Sequence, residues 1–367
     1  MINIFEPYLD KKEITKNINY CIKNNWISSQ GKFVKKFEES LAKYHGVKYC
    51  VSTSSCTTAL HLAIKSLDIK KGDEIICPSL TFIAPANMIV LSGAKLVLAD
   101  IDKDTLTIDP EQILKKITKR TKAILVVHQF GHAAHMDEIK KISKKYKIKI
   151  IEDNAESLGG SYKKKKLGTI GDIATLSFYA NKIITTGEGG AILTNSKKIA
   201  EKCEILRDHG MSKKERYVHL DLGYNYRMTN LQAAVGSSQI KHLREILNIR
   251  NRQIKFYEKN LSNNPNYVLR KFSSWSKKIN WLITIFLKSS SKRKDLISYL
   301  KKKNIDVRPM IFPVNEAKHF KKKFKSQRFP ISKKISYSGL HLPSSTKLSK
   351  KEILYVVKNL NNFFLNK

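Results

Sequence analysis

The sequence predicts an α/β fold: a mostly parallel sheet covered by helices in a large domain, followed by a smaller α+β domain. Three observations predict it. From Tyr49 to Leu193 short apolar runs alternate with helical segments, and strands that alternate with helices assemble into a parallel sheet covered on both faces. The 367 residues suffice for a large core and two domains. After about Lys241 the pattern shifts to an arginine-rich helix and a less regular segment, which divides the chain into residues 1–245 and 246–367.

Residues 1–32 have no strong period and read as an extended arm and a short helix, with a polar turn at Trp26–Gly31. Val34, Phe37, Leu41 and Tyr44 fall on one helix face, and Gly46 ends that helix. Tyr49–Val51 is a short strand. In STSSCTTALHLAI, small hydroxyl residues lead into a helix carrying Leu60, Ala63, Ile64 and Leu67. Such a start leaves backbone N–H groups at the positive end of the helix dipole, an anion site; the same residues also suit a plain N-cap. Glu74–Cys77 is a buried strand ending at Pro78, Thr81–Leu91 a helix beginning with Phe82, and Lys95–Ala99 a strand. A weak helix then reaches Lys116, and Ala123–Val127 is an uninterrupted apolar strand. His128, His132 and His135 follow without the carboxylate–histidine spacing of a metal site, so no metal is expected. A helix to Tyr146 and a strand at Lys149–Ile151 come next. Lys197–Leu206 is a helix, and an aromatic polar loop from Tyr217 is capped at Thr229 or Asn230 before a long helix. The second domain holds a strand (Trp281–Leu287), a helix (Arg293–Lys303), an extended piece (Asp306–Phe312) and a final helix from Ser349.

In parallel sheets of this kind ligands sit beyond the carboxyl ends of the strands. Asp153 is at such an end, where a partly shielded carboxylate holds a cationic ring nitrogen strongly. Downstream, Ser177–Gly190 reads SFYANKIITTGEGG between two apolar runs: strand, tight polar loop, strand. Most lysines lie in solvated runs such as Lys163–Lys166 and Lys301–Lys303, but Lys182 sits alone in this loop. A neutral amine held there forms a Schiff base with an aldehyde; a loop lysine can also simply cap a carbonyl. A ring anchor, a Schiff-base lysine and an anion-binding helix start in one chain point together to pyridoxal phosphate, whose ring accepts electrons when a carboxylate keeps its nitrogen protonated.

The formal charge is +38, from 69 Lys and Arg against 31 Asp and Glu. Because the lysines are spread along the whole chain, this reflects composition more than one patch, and neither a nucleic-acid partner nor a membrane is expected. An overall positive field favours an anionic small substrate. Cys21, Cys50, Cys56, Cys77 and Cys203 show no zinc-ligand spacing, and an odd cysteine count without an apolar leader fits a reducing cytoplasm.

The strings SSCTTALHLAI, PSLTFIAPAN, VHQFGHAAHMDEI, EDNAESLGG, GTIGDIATLSFYANKIITTGEGG, LRDHGMS and GYNYRMTNLQAAVG, with RPMIFP and GLHLPSS more weakly, resemble the DegT/StrS-type family of pyridoxal-phosphate-dependent sugar aminotransferases over nearly the whole chain. The resemblance implies the aspartate aminotransferase (type I) fold. It implies Lys182 as the Schiff-base lysine and proton carrier, Asp153 at the pyridine nitrogen, and Phe82 stacked on the ring. Ser55, Cys56, Thr57 and Ser177 would cradle the phosphate, and Glu156 would lie beside the phenolic oxygen. Asn225 would reach the neighbouring subunit's cofactor, which implies a homodimer with shared active sites. Within the family, FYANKIITTGEGG and RDHGMS are most similar to members that aminate GDP-4-keto-6-deoxymannose with L-glutamate through pyridoxamine phosphate. UDP- or dTDP-linked keto sugars are the alternative acceptors; a pyridoxal-phosphate-binding regulator of nucleic acid would carry a helix-turn-helix appendage, and none is evident. Cys56 stands where many members have glycine, so its side chain must point away from the phosphate loop. Asn315 replaces a frequent histidine, and Arg308 suits either a substrate anion or a surface ion pair.

Overall fold

The computed structural model describes residues 1–261, 264–277 and 279–365. An extended arm leads to α1 (Lys11–Lys23), capped by the Asp10 carboxylate, which accepts from the Glu13 N–H. α2 (Lys32–His45) ends at Gly46, whose φ of 77° is a left-handed conformation that glycine adopts without a Cβ clash. Next come β1 (Tyr49–Thr53), α3 (Cys56–Ser66), β2 (Glu74–Pro78), α4 (Ile83–Leu91), β3 (Lys95–Ala99), α5 (Pro110–Leu114), β4 (Thr121–Val127), α6 (Met136–Tyr146) and β5 (Lys149–Asp153). A short hairpin, β6 (Ser161–Tyr162) and β7 (Lys165–Lys166), precedes β8 (Ile173–Ser177) and β9 (Gly190–Thr194).

The large sheet has the order β1-β9-β8-β5-β4-β2-β3. From β8 to β3 all neighbours are parallel, whereas β9 runs antiparallel to both β8 and β1. That reversal follows from the short β8–β9 connection: a parallel pair needs a crossover, and a loop without a helix returns the chain as an antiparallel neighbour. Successive residues face opposite ways. Ile75, Cys77, Leu125 and Val127 pack with α3 and α4, while Ile76, Ile124 and Val126 pack with α6. Burial on both faces explains why these strands read as apolar runs without alternation.

α7 (Lys197–Arg207) and a long loop lead to α8 (Asn230–Leu261). The Thr229 hydroxyl accepts from the Gln232 N–H at 3.2 Å as a cap. α8 runs unbroken through the boundary expected at 245; its first turns pack on α1 and α2, and Ile254 and Tyr257 near its end join the C-terminal core. The remaining elements are β10 (Tyr267–Leu269), β11 (Ser276–Lys277), β12 (Ile283–Leu287), α9 (Arg293–Lys302), β13 (Arg308–Pro309), α10 (Lys318–Lys321), α11 (Pro330–Ser338), β14 (Gly339–Leu342) and α12 (Lys350–Leu365). A second, antiparallel sheet has the order β10-β12-β14-β13, and β11 pairs instead with β6 of the large domain. Asp100, just past β3, accepts from the Ile331 N–H at 3.1 Å and the Ser332 N–H at 3.0 Å, tying α11 to the large sheet. Among the described residues no helix is long and apolar enough to cross a membrane.

Candidate active site

A cavity of about 440 Å³ opens at the carboxyl ends of the parallel strands. Eight of the nine residues expected from sequence line it: Ser55, Cys56, Thr57, Phe82, Asp153, Glu156, Ser177 and Lys182. Asn225 lies outside and is exposed. Tyr224 and Tyr226 on either side of it stack with ring centroids 4.8 Å apart and pack on His61 of α3. Strand-like alternation therefore turns Asn225 the other way, to the surface.

One end of the cavity is the start of α3. Ser55 and Thr58 form a capping box, in which the Thr58 N–H donates to the Ser55 hydroxyl at 3.2 Å and the Ser55 N–H to the Thr58 hydroxyl at 3.1 Å. The cap satisfies two orphan donors, and the first-turn residues Cys56 and Thr57 line the cavity at the positive end of the helix dipole. The Cys56 thiol turns aside, donating to the Thr175 hydroxyl at 3.7 Å on β8. Burial, with Asp153 nearby, pushes that thiol well above its ordinary range, so it stays protonated and weakly reactive. Gly190 lets β9 pass beneath: a Cβ there would lie 2.4 Å from the Ser55 carbonyl carbon.

The floor is Asp153, the last residue of β5 and 5% exposed. Its Oδ1 accepts from the Ala155 N–H at 3.0 Å, and no ion pair involves it among the described residues. Burial raises its carboxyl, against the Ala155 N–H and the charge of Lys182. Glu156 is raised likewise by burial, opposed by Lys182 and by the Phe130 N–H, which donates to its Oε2 at 2.7 Å. Phe130 holds a left-handed φ of 50°, strained for a side chain with a Cβ, and this conformation aims its N–H at Glu156.

Lys182 projects from the β8–β9 loop. The loop is tight because the Thr185 hydroxyl and the Thr186 N–H both donate to the Phe178 carbonyl, at 3.0 and 2.9 Å, and the Lys182 N–H donates to the Tyr179 carbonyl at 2.9 Å. Its Nζ lies 3.8 Å over the ring of Trp281, a residue that sequence reasoning read only as the start of a strand. His341 and the rim residue Arg308 also line the cavity; burial, then the charge of Arg270, pushes His341 down to about 3, so its ring is neutral. Two of the three clustered histidines are engaged elsewhere. The His128 Nδ1 accepts from the Ala134 N–H, so its Nε2 donates to Glu152 at 2.9 Å; the His132 Nδ1 donates to the Ala133 carbonyl at 2.7 Å, and its Nε2 accepts from the Ser273 N–H.

A buried carboxylate without a cationic partner, an amine, free amides at a helix start and the Thr81 hydroxyl, buried with no partner among the described residues, complement a protonated ring nitrogen, an aldehyde and a phosphate. The residues fit pyridoxal phosphate. Fold and cavity together define the class, the pyridoxal-phosphate-dependent sugar aminotransferases. The chain belongs to the DegT/DnrJ/EryC1/StrS aminotransferase family, whose profile matches residues 9–361. It is 37% identical to the GDP-perosamine synthase of Escherichia coli O157:H7 over 366 residues, covering 100% of this chain and 99% of the relative. It is 36% identical to the dTDP-3-amino-3,6-dideoxy-alpha-D-galactopyranose transaminase of Aneurinibacillus thermoaerophilus, covering 97% and 99%. Among solved structures, PseC of Helicobacter pylori, an aminotransferase involved in the biosynthesis of pseudoaminic acid, superposes with a TM-score of 0.94 at 28% identity over 100% of both chains.

Proposed function

We propose that this enzyme moves an amino group from L-glutamate to a nucleotide-linked 4-keto-6-deoxy sugar in the cytoplasm, converting GDP-4-keto-6-deoxymannose to GDP-perosamine. The observation that carries the reaction type is the convergence of Lys182 and Asp153 in one cavity; the full-length likeness to a GDP-perosamine synthase supports the choice of sugar. Bound here, pyridoxal phosphate supplies an electron-accepting ring that carries the amino group between the two substrates. Asp153 would hold the ring nitrogen in its protonated form. The Cys56 and Thr57 amides, with the Ser55, Thr57 and Ser177 hydroxyls, would hold the phosphate, and Glu156 would lie beside the phenolic oxygen. Phe82, 60% exposed, would stack on the ring. Lys182 Nζ would be the group that takes up and returns the proton.

A second reading, a dTDP-linked acceptor, is favoured by the Aneurinibacillus relative at nearly the same identity, and a UDP-linked one by a Campylobacter jejuni transaminase at 34%. Absorbance separates the two. The band of lysine-bound cofactor is expected to disappear with L-glutamate and return with GDP-4-keto-6-deoxymannose; disappearance without return, with return on a dTDP- or UDP-linked keto sugar, favours the second reading.

The site is completed by a second copy. Leu220 and Leu222 are 60% and 80% exposed on the loop that carries Asn225, apolar surface that a partner subunit would cover. We expect a homodimer in which Asn225 donates to the phosphate of the neighbouring site. Mixing Lys182→Ala subunits with Asn225→Asp subunits, each alone inactive, is expected to restore about a quarter of wild-type activity, because half the dimers are mixed and each has one intact site. No restoration would show that each site is built from one chain.

A further inference from the structure

Trp281 joins the two domains at the reactive lysine. It lies just before β12, and its position is set from three sides. Arg250 of α8, 2% exposed, donates from Nη1 to the carbonyls of Asn280 and Trp281, both at 3.1 Å, and of Ser344 at 3.2 Å. The indole Nε1 donates to the carbonyl of Asn181, the residue before Lys182, at 2.6 Å. Phe130 lies nearly parallel to the ring, with 9° between planes and 6.4 Å between centroids. The Lys182 amine lies over the ring, 3.8 Å from its centroid. One side chain thus holds the backbone of the lysine's loop through its N–H and the lysine's terminal nitrogen through its ring.

We propose that Trp281 is a positioning residue: its indole face is the resting place of the Lys182 nitrogen whenever the lysine is not bonded to cofactor, and its N–H fixes the backbone of the loop that carries the lysine. The proposal rests on the assignment of Lys182 as the Schiff-base lysine. When the lysine is not bonded to cofactor its nitrogen lies free in the cavity, where an aromatic face holds it without a counter-charge that would have to be broken again. Trp281 accordingly favours the state in which the lysine is free.

The test is the equilibrium between the lysine-bound and lysine-free forms, read from absorbance while the ratio of L-glutamate to 2-oxoglutarate is varied. In Trp281→Leu, half-conversion is expected to need a ratio about 2- to 30-fold higher than in the wild type. Trp281→Phe keeps a ring face and is expected to recover most of that shift. A readout without catalysis accompanies it: in cofactor-free protein, hydrogen exchange of the amides of residues 179–183 is expected to speed up in both variants, because both lose the indole N–H. An unchanged equilibrium in Trp281→Leu overturns the proposal, and so does a Phe variant as shifted as the Leu variant. Absence of any lysine-bound band in the wild type is a different result, and it overturns the role of Lys182 itself.

Discussion

If Lys182 is the Schiff-base lysine proposed above, replacing it by alanine is expected to lower turnover by about 10⁴-fold or more, since one nitrogen would both bond the cofactor and carry the proton. The fold should be nearly indifferent. The Nζ contacts the Trp281 ring and spans no ion pair among the described residues, so the loss is about 0.5–1 kcal/mol, a shift of roughly 1–3 °C in melting temperature. Circular dichroism and a thermal melt beside the kinetic assay separate the two effects. An active Lys182→Ala enzyme overturns the assignment.

Asp153→Asn is expected to act in opposite directions on function and on stability. In the cofactor-free protein burial lifts the Asp153 carboxyl above its ordinary value. A folded value above the unfolded one means that the protonated form is favoured by folding. Ionised Asp153 therefore costs stability as pH rises through the raised value, and costs nothing below the ordinary carboxylate range. Asparagine carries no charge to bury and can still accept from the Ala155 N–H, so the melting temperature of the cofactor-free protein at neutral pH should rise by about 1–3 °C. Catalysis should fall. Without the carboxylate the ring nitrogen is left unpaired in a buried place, a loss of about 10²- to 10³-fold in kcat/KM. The wild type's affinity for pyridoxal phosphate is likewise expected to decline on acidification starting above the ordinary aspartate value of about 4. Full activity in Asp153→Asn would remove this residue from the mechanism.

Local signals made much of the fold legible. β3 spans Lys95–Ala99 as expected, because an apolar run between a glycine and an acidic turn has few alternatives. The start of α3 was legible for the same reason, and it carries Ser55, Cys56 and Thr57; β5, expected to stop at Ile151, runs on to Asp153 itself. The sequence pattern changes after Lys241 where α8 passes from one core to the other, while the helix itself continues to Leu261. Trp281 and Phe130 were missed. Trp281 meets a loop a hundred residues earlier in the chain, and the strain of Phe130 comes from tertiary hydrogen bonds; neither leaves a periodic trace.

The continuity of α8 bears on how the molecule moves. A 32-residue helix is a rod of about 48 Å, and one end of it is built into each domain. Rotation of one domain against the other would have to bend that rod and tear Asp100 from the start of α11. The usual hinge, a few loop residues absorbing a change in backbone angles, has no place along α8. A rod held at both ends would keep the mouth of the cavity at one width, leaving motion to the side chains at its rim.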